Sequence, residues 1–371
     1  MELSTSLFRS VQVRASGAIA IEDPQTLFEL TGSALQPSQL LLRVHAVALH
    51  PGEAQQASAP PAAAYTPCTN CVGRVVAAGA GPLTSLTGAP LQVGAFVYAL
   101  RTRSGACASM ALCDAAACAA LPFDAGALGA AQRRARLLAI APLPTPHFAA
   151  CLALQALGLR AQQQQPPPQP QPSLLVLGAD CSFAGHAAAA LASSWGCRVL
   201  ATAGCAEGCA LLVQQRLCSE GGALRHDGEQ AGVQAGVARA CGSAGVERVL
   251  ELGAVPQGLA LGVAALARQG AVAVLREPSL DHTTPAPAAL DCSALAARGG
   301  TVQGVALEGA SPEQLRQCAL AFEAVLLQVH LGQRPALPLL VVEGLDAAPG
   351  AFGAAAASTP LSGAVVVDCW Q

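Results

Sequence analysis

The sequence predicts an α/β protein of two domains: a β-barrel made from the first and last parts of the chain, and a doubly wound parallel sheet made from the middle. Three observations carry this. Residues 1–120 hold short apolar runs punctuated by glycine and proline, without long helical periods. Residues 173–275 alternate apolar strands with helical segments, the pattern of a parallel sheet covered on both faces. The tail then returns to strands, so it is expected to rejoin the front. The boundaries are 1–150 with 331–371 for the barrel and 151–330 for the sheet domain.

In order, SVQVRASGAIAIED (10–23) alternates about Gly17 as a hairpin does. LLLRVHAVAL (40–49), CVGRVVAAGA (71–80), GAFVYAL (94–100) and ASMALCDAAACAALP (108–122) read as strands, and HFAACLALQALGL (147–159) as a buried helix. AQQQQPPPQPQP (161–172) can form neither helix nor packed strand and marks a linker or surface loop. SLLVLGA (173–179), CRVLATAG (197–204), VERVLELGA (246–254) and AVAVL (271–275) are strands of the second domain. Between them HAAAALASSWG (186–196), CALLVQQRLC (209–218) and GLALGVAALARQG (258–270) are helices. LPLLVVEG (337–344) and GAVVVDC (363–369) are the returning strands.

Composition removes whole chemistries. The 371 residues include 20 basic ones, every one arginine, and a net charge of −3. Without lysine there is no Walker phosphate loop, no Schiff-base lysine and no lysine base. Tyr65 and Tyr98 are the only tyrosines, so there is no Tyr-x-x-x-Lys pair. No basic stripe exists for nucleic acid; Arg133, Arg134 and Arg136 read as a solvated helix face. The 15 cysteines sit mostly in alanine-rich stretches and read as small buried hydrophobes in a reducing, cytoplasmic setting. Leu137–Leu159 is free of formal charge, but Pro142, Pro144 and Pro146 interrupt it, leaving too short a helix to span a bilayer. A soluble protein acting on a small molecule, without membrane or nucleic acid, is expected.

Chemistry is sought where strands end. Gly178-Ala-Asp-Cys-Ser-Phe-Ala-Gly185 follows the first parallel strand and precedes a helix, where free N–H groups and the helix dipole favour a phosphate. Gly-x-Gly-x-x-Gly spacing is absent, and Asp180 places a negative charge in the turn. Candidate cofactor contacts are Gly178, Ser182, Phe183, Ala184 and Gly185, with Thr202, Gly253 and Leu275 at the ends of later strands. Glu207 stands too far beyond the second strand for a confident ribose ligand, and no arginine adjoins that strand's end. Cys68-Thr-Asn-Cys71 has zinc-ligand spacing but no second pair to complete four ligands, so no metal is expected. Neither His-Glu-x-x-His nor Gly-x-Ser-x-Gly occurs. His50, in ALHPGE (48–53) after a strand, is the candidate catalytic residue.

These stretches, taken in order, resemble the medium-chain dehydrogenase/reductase superfamily, in its zinc-independent branch of quinone oxidoreductases and trans-acting enoyl reductases. VHAVALHPGE (44–53), CVGRVVAAGAGP (71–82), VGAFVYAL (93–100), GACASMALCDAAACAALP (105–122), LALQALGL (152–159), LLVLGADCSFAGHAAAALASSWGCRVLATAG (174–204), VERVLELGA (246–254) and TPLSGAVVVD (359–368) carry the resemblance. It implies a GroES-like barrel and a Rossmann domain, NADPH in preference to NADH, no zinc, and hydride transfer to an enone, enoyl group or quinone. It also implies a homodimer or a monomer. His50 stands where the branch has asparagine, Gln55 near its tyrosine and Leu152 at its threonine; Gly363-Ala364 replaces Gly-Lys. The turn carries one extra residue, and the lysine that reads a 2′-phosphate has no counterpart. Two readings stay open: a nicotinamide-dependent enone or quinone reductase, or a non-catalytic protein of the same fold with a degenerate cofactor site.

Overall fold

A computed structural model describes residues 9–22, 35–58, 61–160, 172–226, 230–255, 257–275, 290–334 and 337–369. The glutamine/proline tract lies outside the described residues except for Pro172. The chain divides into two units: one of 1–145, 315–358 and 363–371, the other of 146–314 and 359–362.

In the first unit, β1 (Ser10–Val13) and β2 (Ile19–Glu22) form the hairpin expected around Gly17, whose φ of 79° suits a residue without Cβ. β3 (Gln39–Leu49) is the organising strand. It leads into α1 (Pro51–Ser58), opened by a proline whose missing N–H costs a helix nothing at that position. β4 (Cys71–Ala78), β5 (Phe96–Ala99), β6 (Met110–Asp114) and β7 (Cys118–Ala120) follow, then α2 (Ala130–Ile140). One edge of β3 is shared. Its first half pairs with β6 and its second half with a strand from the tail, while β4 pairs along the other edge.

α3 (Pro144–Ala156) begins three residues before the expected helix, because Pro144 and Pro146 fall in the first turn, where no backbone donor is needed. The second unit then runs β8 (Ser173–Leu177), α4 (Phe183–Ser194), β9 (Arg198–Ala203), α5 (Ala206–Gln214), β10 (Ala223–Arg225), α6 (Gln230–Cys241), β11 (Val246–Glu251) and α7 (Gly258–Ala265). β12 (Leu266–Leu275), α8 (Cys292–Arg298) and β13 (Thr301–Val305) complete it. All six strands are parallel, in the order β10-β9-β8-β11-β12-β13. The helix expected over 258–270 ends at Ala265 instead. Leu266 already pairs with Val246, and the register shift that follows absorbs Ala267–Gly270 as a bulge, with Gln269 at φ 59°.

α9 (Pro312–His330), β14 (Leu339–Glu343), α10 (Ala348–Ala356) and β15 (Ala364–Asp368) form the tail. β14 and β15 extend the first unit's seven-stranded sheet, β15 lying directly on β3. The arginine cluster on α2 is not a free solvated face. Arg134 pairs with Asp368 of β15 and Glu343 of β14, and Arg136 donates to the Val329 carbonyl at 2.9 Å. Each unit has its own apolar core, Leu40, Leu42, Val47, Val97 and Val367 in the first, Leu175, Leu200, Val249 and Val272 in the second. No single helix among the described residues is long and apolar enough to cross a membrane.

Candidate functional site

The strand order of the second unit reverses between β8 and β11, and ligands of open parallel sheets bind in the crevice at that reversal. The turn from Gly178 to Gly185 stands there. Gly178 has φ 79°, and a Cβ on it would lie 2.7 Å from the Cβ of Ala254, so glycine is required twice over. Its N–H donates to Thr202 Oγ1 at 2.8 Å, and the Ala179 N–H donates to the Thr202 carbonyl at 3.0 Å. Ser182 caps α4, its Oγ accepting from the Gly185 N–H at 2.9 Å. A Cβ on Gly185 would lie 2.4 Å from Leu252 Cδ1 and 3.2 Å from Ala179 Cα, so this glycine seats the helix against the sheet.

Gly178, Ser182, Phe183, Ala184 and Gly185 lie on one turn, and Thr202 of β9 accepts hydrogen bonds from it. Gly253 joins it from the end of β11, with φ 76° and nothing within 4 Å of where its Cβ would be. Leu275, the last residue of β12, is buried and pairs with Val305. The side chains of Phe183 and Ala184 are buried, and the Ser182 and Thr202 hydroxyls are engaged with the turn's own amides. What the turn can offer a dinucleotide is close backbone approach at Gly253 and the N-terminus of α4, which fits a pyrophosphate.

Two buried acids flank this turn, and both escaped assignment from the sequence. Asp180 reaches away from α4 to the end of β9, its Oδ2 accepting from the Gly204 N–H at 2.9 Å. Glu251, at the end of β11, accepts from the Gly253 N–H at 2.7 Å, and burial raises its pKa to about 7. Asp180 Oδ1 and Glu251 Oε2 are buried without hydrogen-bond partners.

His50 belongs to the first unit, between β3 and α1. Asn70 Nδ2 lies 3.1 Å from its Nε2, a hydrogen bond that fixes the ring's orientation. Burial lowers the imidazole to about 4, so it is neutral near pH 7. The His50 and Thr69 amides donate to Glu53 at 3.3 and 3.0 Å, yet burial still raises that carboxyl to about 7. Asn70 and Glu53 were not singled out from the sequence; the signal lay in Cys68-Thr-Asn-Cys71, which reads first as half a zinc site. Its cysteines are buried free thiols, Cys68 held in the left-handed region at φ 66°. Among the described residues no group of three histidine, cysteine or acidic side chains is placed to hold a metal.

The barrel-type sheet closed by the tail and the six-stranded dinucleotide-type sheet define the medium-chain dehydrogenase/reductase fold, with its GroES-like and Rossmann domains. Solved structures that share it include a mycobacterial quinone oxidoreductase, 18% identical with a TM-score of 0.74 over 97% of this chain and 99% of the other. A mycobacterial protein solved with NADPH matches at 17% identity and TM-score 0.70, over 97% and 99% of the two chains. The CurK enoyl reductase matches at 17% and 0.68, over 98% and 99%. No protein-family model matches the chain, and neither does any curated protein.

Proposed function

We propose that this protein is a nicotinamide-dependent reductase of activated alkenes or quinones that works without zinc. The observation that carries the reading is the glycine turn at the strand-order reversal, with Gly178 and Gly253 both in the left-handed region and open to close approach on the Gly253 side. The structural neighbours include a quinone oxidoreductase, an enoyl reductase and an NADPH complex, which support the same class. A nicotinamide held there would supply hydride to the electron-poor carbon of the substrate.

This chain's contribution is to bind, orient and polarise. The turn would hold the pyrophosphate through backbone groups, and the buried side chains of Phe183, Ala184 and Leu275 add apolar packing to the site. His50, kept neutral by burial and oriented by Asn70, donates to the substrate carbonyl oxygen and stabilises the developing oxyanion.

Titration of the purified protein with NADH and NADPH, followed by nicotinamide fluorescence, tests this reading, together with cofactor oxidation by a small quinone. Saturable binding and turnover are expected; no binding of either cofactor at millimolar concentration would remove it. The non-catalytic reading is favoured by the Ser182 and Thr202 hydroxyls being engaged inside the turn. Binding without turnover of any quinone or enone would select it.

A further inference from the structure

We propose that Asp180 is the specificity-determining residue of the dinucleotide site, taking hydrogen bonds from a free ribose diol and so selecting NADH over NADPH; the proposal rests on the nicotinamide-dependent reading above. In a doubly wound sheet the ribose of the adenosine half lies at the end of the second strand, where a carboxylate accepts from its hydroxyls. Here that strand is β9, which ends at Ala203 and is followed by Gly204 and Cys205. The first acid beyond it, Glu207, is exposed on α5.

The place is filled from the opposite side. Asp180 belongs to the turn after β8, and its carboxylate crosses to the end of β9, where Oδ2 accepts from the Gly204 N–H at 2.9 Å. Gly208 leaves room for it, and Gly204 stands in ordinary contact with it. A Cβ on Gly208 would lie 2.5 Å from Oδ2, and one on Gly204 would lie 3.9 Å from it. Asp180 is only 7% exposed, and its second oxygen, Oδ1, is buried with no partner. A buried acceptor left without a donor is costly, and the cost is recovered when a donor arrives.

A ribose 2′-hydroxyl is such a donor. A 2′-phosphate offers acceptors and further negative charge, and like charges brought together in a site disfavour binding. A cation stands at this corner: Arg225, exposed on β10, is the ladder partner of Ala203 at the end of β9, although the sequence placed no arginine beside that strand's end. The His226 ring lies on the same side of Gly204, its Nε2 3.7 Å from where a Cβ would be. Glu207 is held below its usual range first by its own backbone amide and by Cys205, with the Arg225 charge the smallest cause. This selection runs against the NADPH preference that the resemblance implies, and it agrees with the absence of any lysine to read a 2′-phosphate.

The test is fluorescence titration of the wild-type chain with NADH and NADPH near pH 8, where an ordinary imidazole is neutral. NADH is expected to bind at least about tenfold more tightly, and Asp180→Asn to narrow the ratio by about tenfold. Competition on the wild-type chain by ADP and by adenosine 2′,5′-bisphosphate supplies a measurement that needs no variant, and ADP is expected to compete better. NADPH binding as tightly as NADH, an unchanged ratio in a folded Asp180→Asn protein, or better competition by the bisphosphate would each overturn the role of Asp180 while leaving the reductase reading in place. Binding of neither cofactor would overturn both.

Discussion

Replacing Glu251 by glutamine should stabilise the second unit at alkaline pH and leave it nearly unchanged in acid. Glu251 ends β11 between Leu177 and Val274, is 4% exposed, and has one oxygen bonded to the Gly253 amide and the other without a partner. A Cβ on Gly258 would lie 2.2 Å from Oε2, so the carboxyl is wedged against the start of α7. Burial raises it from 4.5 to about 7, against the amide bonds that favour its charged form. Below the lower value the group is protonated in both folded and unfolded chains and carries no penalty. Between the two the unfolded chain ionises first, so stability falls as pH rises, and above about 7 the full penalty is present. At about 1.36 kcal/mol for each tenfold change in proton affinity, that penalty is about 3 kcal/mol. Urea denaturation followed by the fluorescence of Trp195, half-buried at the end of α4, measures it. Glu251→Gln should exceed the wild type by up to about 3 kcal/mol near pH 8 and by about zero near pH 4. Glu53 gives the first unit a similar slope in both proteins, so the difference between them isolates Glu251. An equal difference at both pH values would refute the reasoning.

Gly178→Ala should lose about 2–4 kcal/mol, combining a left-handed φ with overlap against the Ala254 Cβ, which is fixed to its backbone; an unchanged urea midpoint would contradict the turn's geometry. Phe322→Ala on α9 should cost about 3–5 kcal/mol, since the ring is fully buried edge-on to Tyr98 with centroids 5.3 Å apart. Calorimetry of the first unit's transition checks that value. His50→Ala should lower kcat for a small quinone by about a hundredfold, the loss typical of one oxyanion donor; unchanged turnover would show that His50 takes no part. Elemental analysis of the purified protein should find no stoichiometric zinc, because among the described residues no further histidine, cysteine or acidic side chain joins Cys68 and Cys71 as a ligand group.

The fold was legible because its signals are local and repeated. Apolar runs such as SLLVL and AVVVD have one stable placement, inside a sheet, and their alternation with helices fixes the parallel pairing. Helix ends were less legible: Leu266 fits helix or strand equally well by pattern, and only its pairing with Val246 decides the matter. The glycine turn could be placed from sequence, but the direction of Asp180 could not. It follows from the Gly204 amide that donates to it and from the room left at Gly208, both more than twenty positions downstream. His50 was visible as a polar residue at a strand end. Its partner Asn70 was hidden inside a cysteine pair, whose spacing suggested a metal before it suggested an amide.

The sharing of β3 also governs the order in which this chain can be completed as it is made. β3 needs β15 along half of one edge, and their paired residues Leu49 and Val365 stand 316 positions apart. At about 5–20 residues per second on the ribosome, that half-edge waits roughly 16–60 s for its partner. The parallel sheet of the second unit is encoded wholly within the interval, so it can close while the apolar second half of β3 is still open. The interval is one of aggregation risk, which makes β3 the segment a nascent-chain chaperone would have to cover.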